Sequence, residues 1–281
     1  MKLVYLLGWL LLAGPALAQS GLAFDKRLIE CEDRWVVFRP DKDGSYHFGF
    51  IYIDAQAGPT EKAEGSFRIG ANGRWERTKS LDSINMRVRL QPNQVRVALL
   101  PASRLTELRL PAVPEWLHFY KTDTASAAHY YRWGFTYNAY DHPAGALPYL
   151  LRAARLAPAT AGVAAELAYA YNALQRYAEA VPAATRAIAD APKDCYPYKE
   201  LAYAQGHLDQ LEQAAATYAQ ARARCADQTM HCEIAYNIAA RYFARRDKAG
   251  FLQWATEARR QARAGDQYRE NLARMEAQLD R

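Results

Sequence analysis

The chain has 281 residues, 51% of them hydrophobic and 23% charged, which is enough apolar material for one large domain or two smaller ones. That composition excludes general disorder, and the only uninterrupted apolar run sits at the extreme N-terminus, which excludes a polytopic membrane protein. A formal charge of +6 from 36 basic and 30 acidic residues is too mild for a nucleic-acid footprint, so no nucleic-acid partner is expected.

Met1 and Lys2 supply a short positive start, Leu3 to Ala13 an apolar stretch, and Ala16, Leu17 and Ala18 the small-x-small pattern that a signal peptidase accepts before Gln19. Residues 1–18 therefore read as a cleaved secretory leader, its apolar core being about half the ~20 residues a spanning helix needs. No cysteine follows the cleavage site, which argues against a lipid anchor. The expectation is a periplasmic or secreted protein with no transmembrane segment once the leader is gone.

Residues 19–121 read as a β-rich domain. Arg34 to Phe38, Tyr46 to Ile53, Met86 to Leu90 and Val95 to Leu99 are rich in β-branched or aromatic residues, and Asp43-Gly44, Asn72-Gly73 and Pro92-Asn93 supply turns. Arg87 and Arg89 alternate with Met86, Val88 and Leu90, which predicts one wet face on an antiparallel sheet or small sandwich of about six or seven strands. Asp41 to Gly44 lacks the further oxygen ligands of a calcium loop and reads as a hairpin turn. Pro101, Pro111 and Pro114 punctuate the exit from the sheet, and Lys121 to Ser126 has the polar, small-residue character of a linker or helix cap.

A repeat governs the remainder. Trp133-Gly134-Phe135, Leu167-Ala168-Tyr169, Leu201-Ala202-Tyr203 and Ile234-Ala235-Tyr236 recur at offsets of 34, 34 and 33 residues, and Ala146, Ala180 and Ala214 recur downstream of the first three. Pro158 and Pro192 close the first two units. With Tyr130, Tyr137 and Leu150, the first unit resembles a tetratricopeptide repeat, in which two antiparallel helices meet through small residues and stack on the next pair. The resemblance covers residues 122–262 as four units, 127–160, 161–194, 195–227 and 228–262, followed by a capping helix or tail at 263–281. In the fourth unit Asp247 stands where the small alanine is expected, so its second helix is expected to be shifted. The fold expected for the whole is a two-domain α+β chain, an N-terminal antiparallel sheet followed by a C-terminal α-solenoid of the kind found in exported repeat proteins of Gram-negative envelopes.

On the first helix of each pair, Tyr130, Trp133, Gly134 and Tyr137 make the stripe expected to be buried. Phe135 lies about 200° around from Trp133, on another face. Phe135, Tyr169, Tyr203 and Tyr236 thus form a ladder along one edge, with Tyr131, Asn138, Asn172 and Lys199 beside it. The resemblance makes this edge an inner groove holding a peptide or a partner segment, and asparagine, a poor helix-interior residue, suggests pairing with a ligand backbone. Tyr131 and Phe135 stand where a carboxylate-gripping groove would carry its first Lys and Asn, and Glu166 and Glu200 where it would carry further polar or basic residues, so a receptor for chain-terminal carboxylates is disfavoured.

No nucleophile elbow, zinc helix motif or phosphate-binding glycine loop is present, and the six histidines are dispersed, so no catalytic residue, metal or cofactor is expected. Cys31, Cys195, Cys225 and Cys232 allow three connectivities in an oxidising compartment, and buried free thiols are the competing reading. Cys195 begins the third pair and Cys225 ends it, which favours a bridge between them; Cys225 to Cys232 across the next turn competes. The function expected is a non-enzymatic scaffold that binds an envelope protein or peptide. The alternative is a protein that binds an envelope glycan or peptidoglycan through exposed Trp35, Tyr52 or Trp75 of the β domain, the repeats merely presenting it.

Overall fold

The structure, a computed structural model, describes residues 21–81, 84–263 and 265–279. The leader expected at 1–18 lies outside them. Among the described residues no helix is long and apolar enough to cross a membrane. The chain divides into two compact units between Thr122 and Asp123.

The first unit is one antiparallel sheet of β1 (Lys26–Arg27), β2 (Arg34–Val37), β3 (Tyr46–Asp54), β4 (Gly58–Ile69), β5 (Trp75–Ser80), β6 (Arg87–Arg89) and β7 (Arg96–Leu99). The strand order is β1-β7-β2-β3-β4-β5, and β6 pairs with Thr60 to Lys62 of β4. The expected alternation is absent from β6, where Arg87, Val88 and Arg89 are all exposed, and on β5 Glu76, Thr78, Lys79 and Ser80 are exposed as well. At the centre both faces are covered. Trp35, Phe48, Phe50, Tyr52, Phe67 and Trp75 fill one side, and Val36, Ile51 and Val97 pack on the other against Leu28 and Cys31 of a 3-10 turn, Leu28–Cys31. Another 3-10 segment, Glu115–Tyr120, lays Trp116 and Tyr120 against Tyr52, with ring centroids 5.1 and 4.7 Å away.

The second unit is helical: α1 (Ala127–Ala139), α2 (Pro143–Leu156), α3 (Val163–Ala173), α4 (Tyr177–Asp190), α5 (Tyr196–His207), α6 (Leu211–Arg224), α7 (Gln228–Ala244), α8 (Lys248–Gln261) and α9 (Gln267–Leu279). Ser126 caps α1 by accepting from His129 N. Each first helix packs on its own second helix and on the first helix of the next pair. Gly134, Ala168 and Ala202 are buried on the first helices of their pairs, and Ala146, Ala180 and Ala214 are fully buried on the second helices. Glycine is required at 134, because a Cβ there would run into the side chain of the fully buried Leu150.

The fourth pair departs in a definite way. Its second helix starts 37 residues after that of the third, against 34 for the preceding pairs, because α7 runs about one turn longer. Asp247, out of place as a packing residue, is the N-cap of α8 and accepts from Gly250 N, while Phe251 occupies the crossing and is fully buried. The charged C-terminal segment is more than a solvated cap: α9 packs on α7 and α8 and sinks Leu272 into the core. Cys195 and Cys225 are disulfide-bonded, with Cα atoms 5.5 Å apart, and tie the start of α5 to the residue after α6; Cys31 and Cys232 are buried free thiols.

Candidate functional site: the groove of the first helices

Because successive first helices pack on one another, α1, α3, α5 and α7 share the inner side of the stack. At this surface the structure brings together four of the residues expected from sequence. Tyr169, Asn172, Lys199 and Tyr203 line one cavity of about 210 Å³. That is below the ~300–1,000 Å³ of small-molecule sites and suits one or two side chains of a longer ligand. Tyr131, Phe135, Asn138 and Tyr236 lie outside its lining. Phe135 is 48% exposed and packs on Tyr131, ring centroids 6.3 Å apart. Tyr203 rests on His207 and Tyr177, at 4.4 and 6.2 Å. The last rung departs from the expected open ladder: Tyr236 is half-buried, and Tyr268 of α9 packs on it at 4.9 Å.

The two asparagines also differ from expectation. Asn138 Nδ2 donates to the backbone oxygen of Glu166 (3.0 Å) and to its Oε2 (2.8 Å), and Asn172 Nδ2 does the same to Glu200 (2.9 and 2.8 Å). Both are 4% exposed. They are clamps between successive pairs, with their amide hydrogens already committed. At the third equivalent position stands Gly206, whose carbonyl accepts from Arg241 Nε at 3.1 Å and which leaves room for that side chain. The Oδ1 atoms of Asn138 and Asn172 are buried and accept no hydrogen bond among the described residues. A buried acceptor without a donor costs about 1–3 kcal/mol, a cost that these two positions carry in the unliganded protein.

Three carboxylates go with them. Glu166, Glu200 and Glu233 occupy the same position in successive first helices, at offsets of 34 and 33 residues, and Glu200 and Glu233 line the cavity together with Asn237. The signal for this row was present in the sequence at the repeat period, beside the aromatic rungs. Lys199 Nζ sits 3.1 Å from Glu200 Oε1 and 3.7 Å from Glu233 Oε1, above the Tyr196 ring at 4.7 Å. Burial pulls the Lys199 ammonium down, but Glu200 and Glu233 outweigh it and hold its pKa above the ordinary value. Burial, with Glu200 adding repulsion, lifts the Glu166 carboxyl above its usual range. Burial and Glu200 likewise push Tyr196 up, so its hydroxyl stays protonated.

The aromatic residues of the glycan alternative are not available. Trp35, Tyr52 and Trp75 are 5%, 0% and 3% exposed, and carbohydrate stacking needs an open ring face. Trp75 stacks on Phe67 at 4.4 Å, and the Arg104 guanidinium lies over its ring. In the helical unit, His231 Nε2 lies 3.8 and 3.7 Å from the sulfurs of Cys195 and Cys225, but sulfurs joined to each other present no thiolate to a metal.

No protein-family model matches the chain, and no curated protein sequence does. Among solved structures it is similar to YrrB, described as a TPR protein with an unusual peptide-binding site (18% identity, 56% of this chain and 76% of that one, TM-score 0.46). It is similar also to TTC0263, a thermophilic TPR protein of Thermus thermophilus (20% identity, 62% and 89%, TM-score 0.45), and to a MamA structure from MSR-1 (21% identity, 57% and 88%, TM-score 0.44).

Proposed function

We propose that the chain is a non-enzymatic interaction scaffold of the cell envelope, and that the first-helix groove holds an extended segment of a partner protein. The observation that carries this reading is the cavity at Tyr169, Asn172, Lys199 and Tyr203, open on the inner side and flanked by the exposed Phe135. Half-buried tyrosines supply rigid contact area, and unspent acceptors supply hydrogen bonds to a main chain, the combination that peptide grooves use. The leader read in residues 1–18 and the Cys195–Cys225 bond suit an oxidising compartment.

Crosslinked capture from envelope extract, comparing the wild type with Tyr169→Ala/Tyr203→Ala, tests the groove. The expected result is loss of the captured partner in a variant that keeps the wild-type helical circular dichroism. Undiminished capture by the folded double variant would overturn the assignment.

A further inference from the structure

We infer that the groove selects a cationic segment, an extended peptide carrying lysine or arginine side chains. This rests on the groove reading and specifies its partner chemistry. Part of what the site has left to offer is acceptors. Asn172, 4% exposed and lining the cavity, has its amide hydrogens committed to Glu200 and its Oδ1 unpaired, so a ligand atom reaching it must be a donor. One rung earlier Asn138 Oδ1 repeats the arrangement. Backbone N–H groups of an extended chain are donors of this kind.

The charge around these atoms has the same sense. Glu166, Glu200 and Glu233 form a row along the inner helices, answered at the cavity by Lys199, which is already paired with two of them, and beyond it by Arg241, whose Nε is committed to Gly206 O. The repulsion that raises the Glu166 carboxyl comes in part from Glu200, so a ligand cation between the rungs would relieve a cost the unliganded protein bears. The ring faces of Tyr169 and Tyr203 beside the carboxylates suit a lysine or arginine side chain, whose stem is apolar and whose head is attracted to aromatic faces. The chain as a whole carries +6, so bulk electrostatics would draw an acidic peptide and only the local field of the groove would draw a basic one. A basic preference is therefore diagnostic of this site.

The test is fluorescence anisotropy on the full chain with three labelled, end-capped peptides: four Ala-Lys repeats, four Ala-Gln repeats and four Ala-Glu repeats. The lysine peptide should bind about tenfold or more tightly than the glutamine peptide, and the glutamate peptide least of all. Glu233→Gln should weaken the lysine peptide by about threefold and Glu233→Lys by about tenfold or more, with little effect on the glutamine peptide. Glu233 suits these changes because its side chain is 29% exposed and both variants should fold, as a melting curve checks. Equal binding of the three peptides, preference for glutamate, or no binding by any of them overturns the inference. If binding is indifferent to peptide charge but is lost in Tyr169→Ala/Tyr203→Ala, the groove stands and its cationic preference falls. If the tyrosine change has no effect on any peptide, the groove itself falls.

Discussion

Glu61 and Gly134 show how single side chains set local stability. Glu61 lies on β4 against Gly49, where no Cβ has room, and burial pushes its carboxyl up to about 7. An acid whose folded pKa lies above its unfolded value keeps an extra proton when folded. The stabilisation is complete below the unfolded value and is lost as pH rises through about 7. Glu61→Gln should therefore stabilise the sheet by roughly 1–3 kcal/mol at pH 8 and by much less at pH 5, read as slower amide hydrogen exchange in β3 and β4. An equal effect at both pH values would contradict the burial argument. At the first crossing, Gly134→Ala gains up to about 1 kcal/mol of helix propensity but forces Leu150 to move, which costs about 1–3 kcal/mol. The change should be destabilising alone and stabilising in a Leu150→Ala background, and urea unfolding of the four chains in that cycle checks the reversal of sign.

The helical elements were legible because the same residue types return at 34 residues with small side chains at both crossings, a pattern that backbone approach requires. The clamps were not. Asn138 and Asn172 each reach a glutamate 28 residues on, and a period shows two rows of residues without showing that the rows touch. In the first unit, β4 was hard to read, since it carries Lys62 and Glu64, which form a buried pair at 2.7 Å and break the hydrophobic alternation. The burial of Tyr52 was also invisible, because its cover comes from Trp116 and Tyr120, in a proline-flanked stretch with no strand period. The disulfide acts on the same scale, closing the α5–α6 pair over a separation of 30 residues. By loop entropy, Cys195→Ala/Cys225→Ala should cost roughly 3–4 kcal/mol, seen as a lower urea midpoint of the helical signal. An unchanged midpoint would mean that the α5–α6 contacts alone hold the pair.

At the scale of the whole molecule, a chain with a net excess of basic residues carries an acidic row along one helical face, and α9 closes the far end of that face by covering Tyr236. Repetition produces the row: each first helix presents a ring at the corresponding position, α3, α5 and α7 a glutamate, and α1 and α3 an amide, so a ligand crossing several helices meets related chemistry more than once. The central claim, that partners are held by the first helices, is tested most directly by photocrosslinking. Benzoylphenylalanine replaces Phe135 or Tyr203 on the inner helices or, as a control, Leu156 at the end of α2, which is 50% exposed. The account predicts one and the same adduct from positions 135 and 203 and none from 156. An adduct from 156 with none from the two groove positions would contradict it.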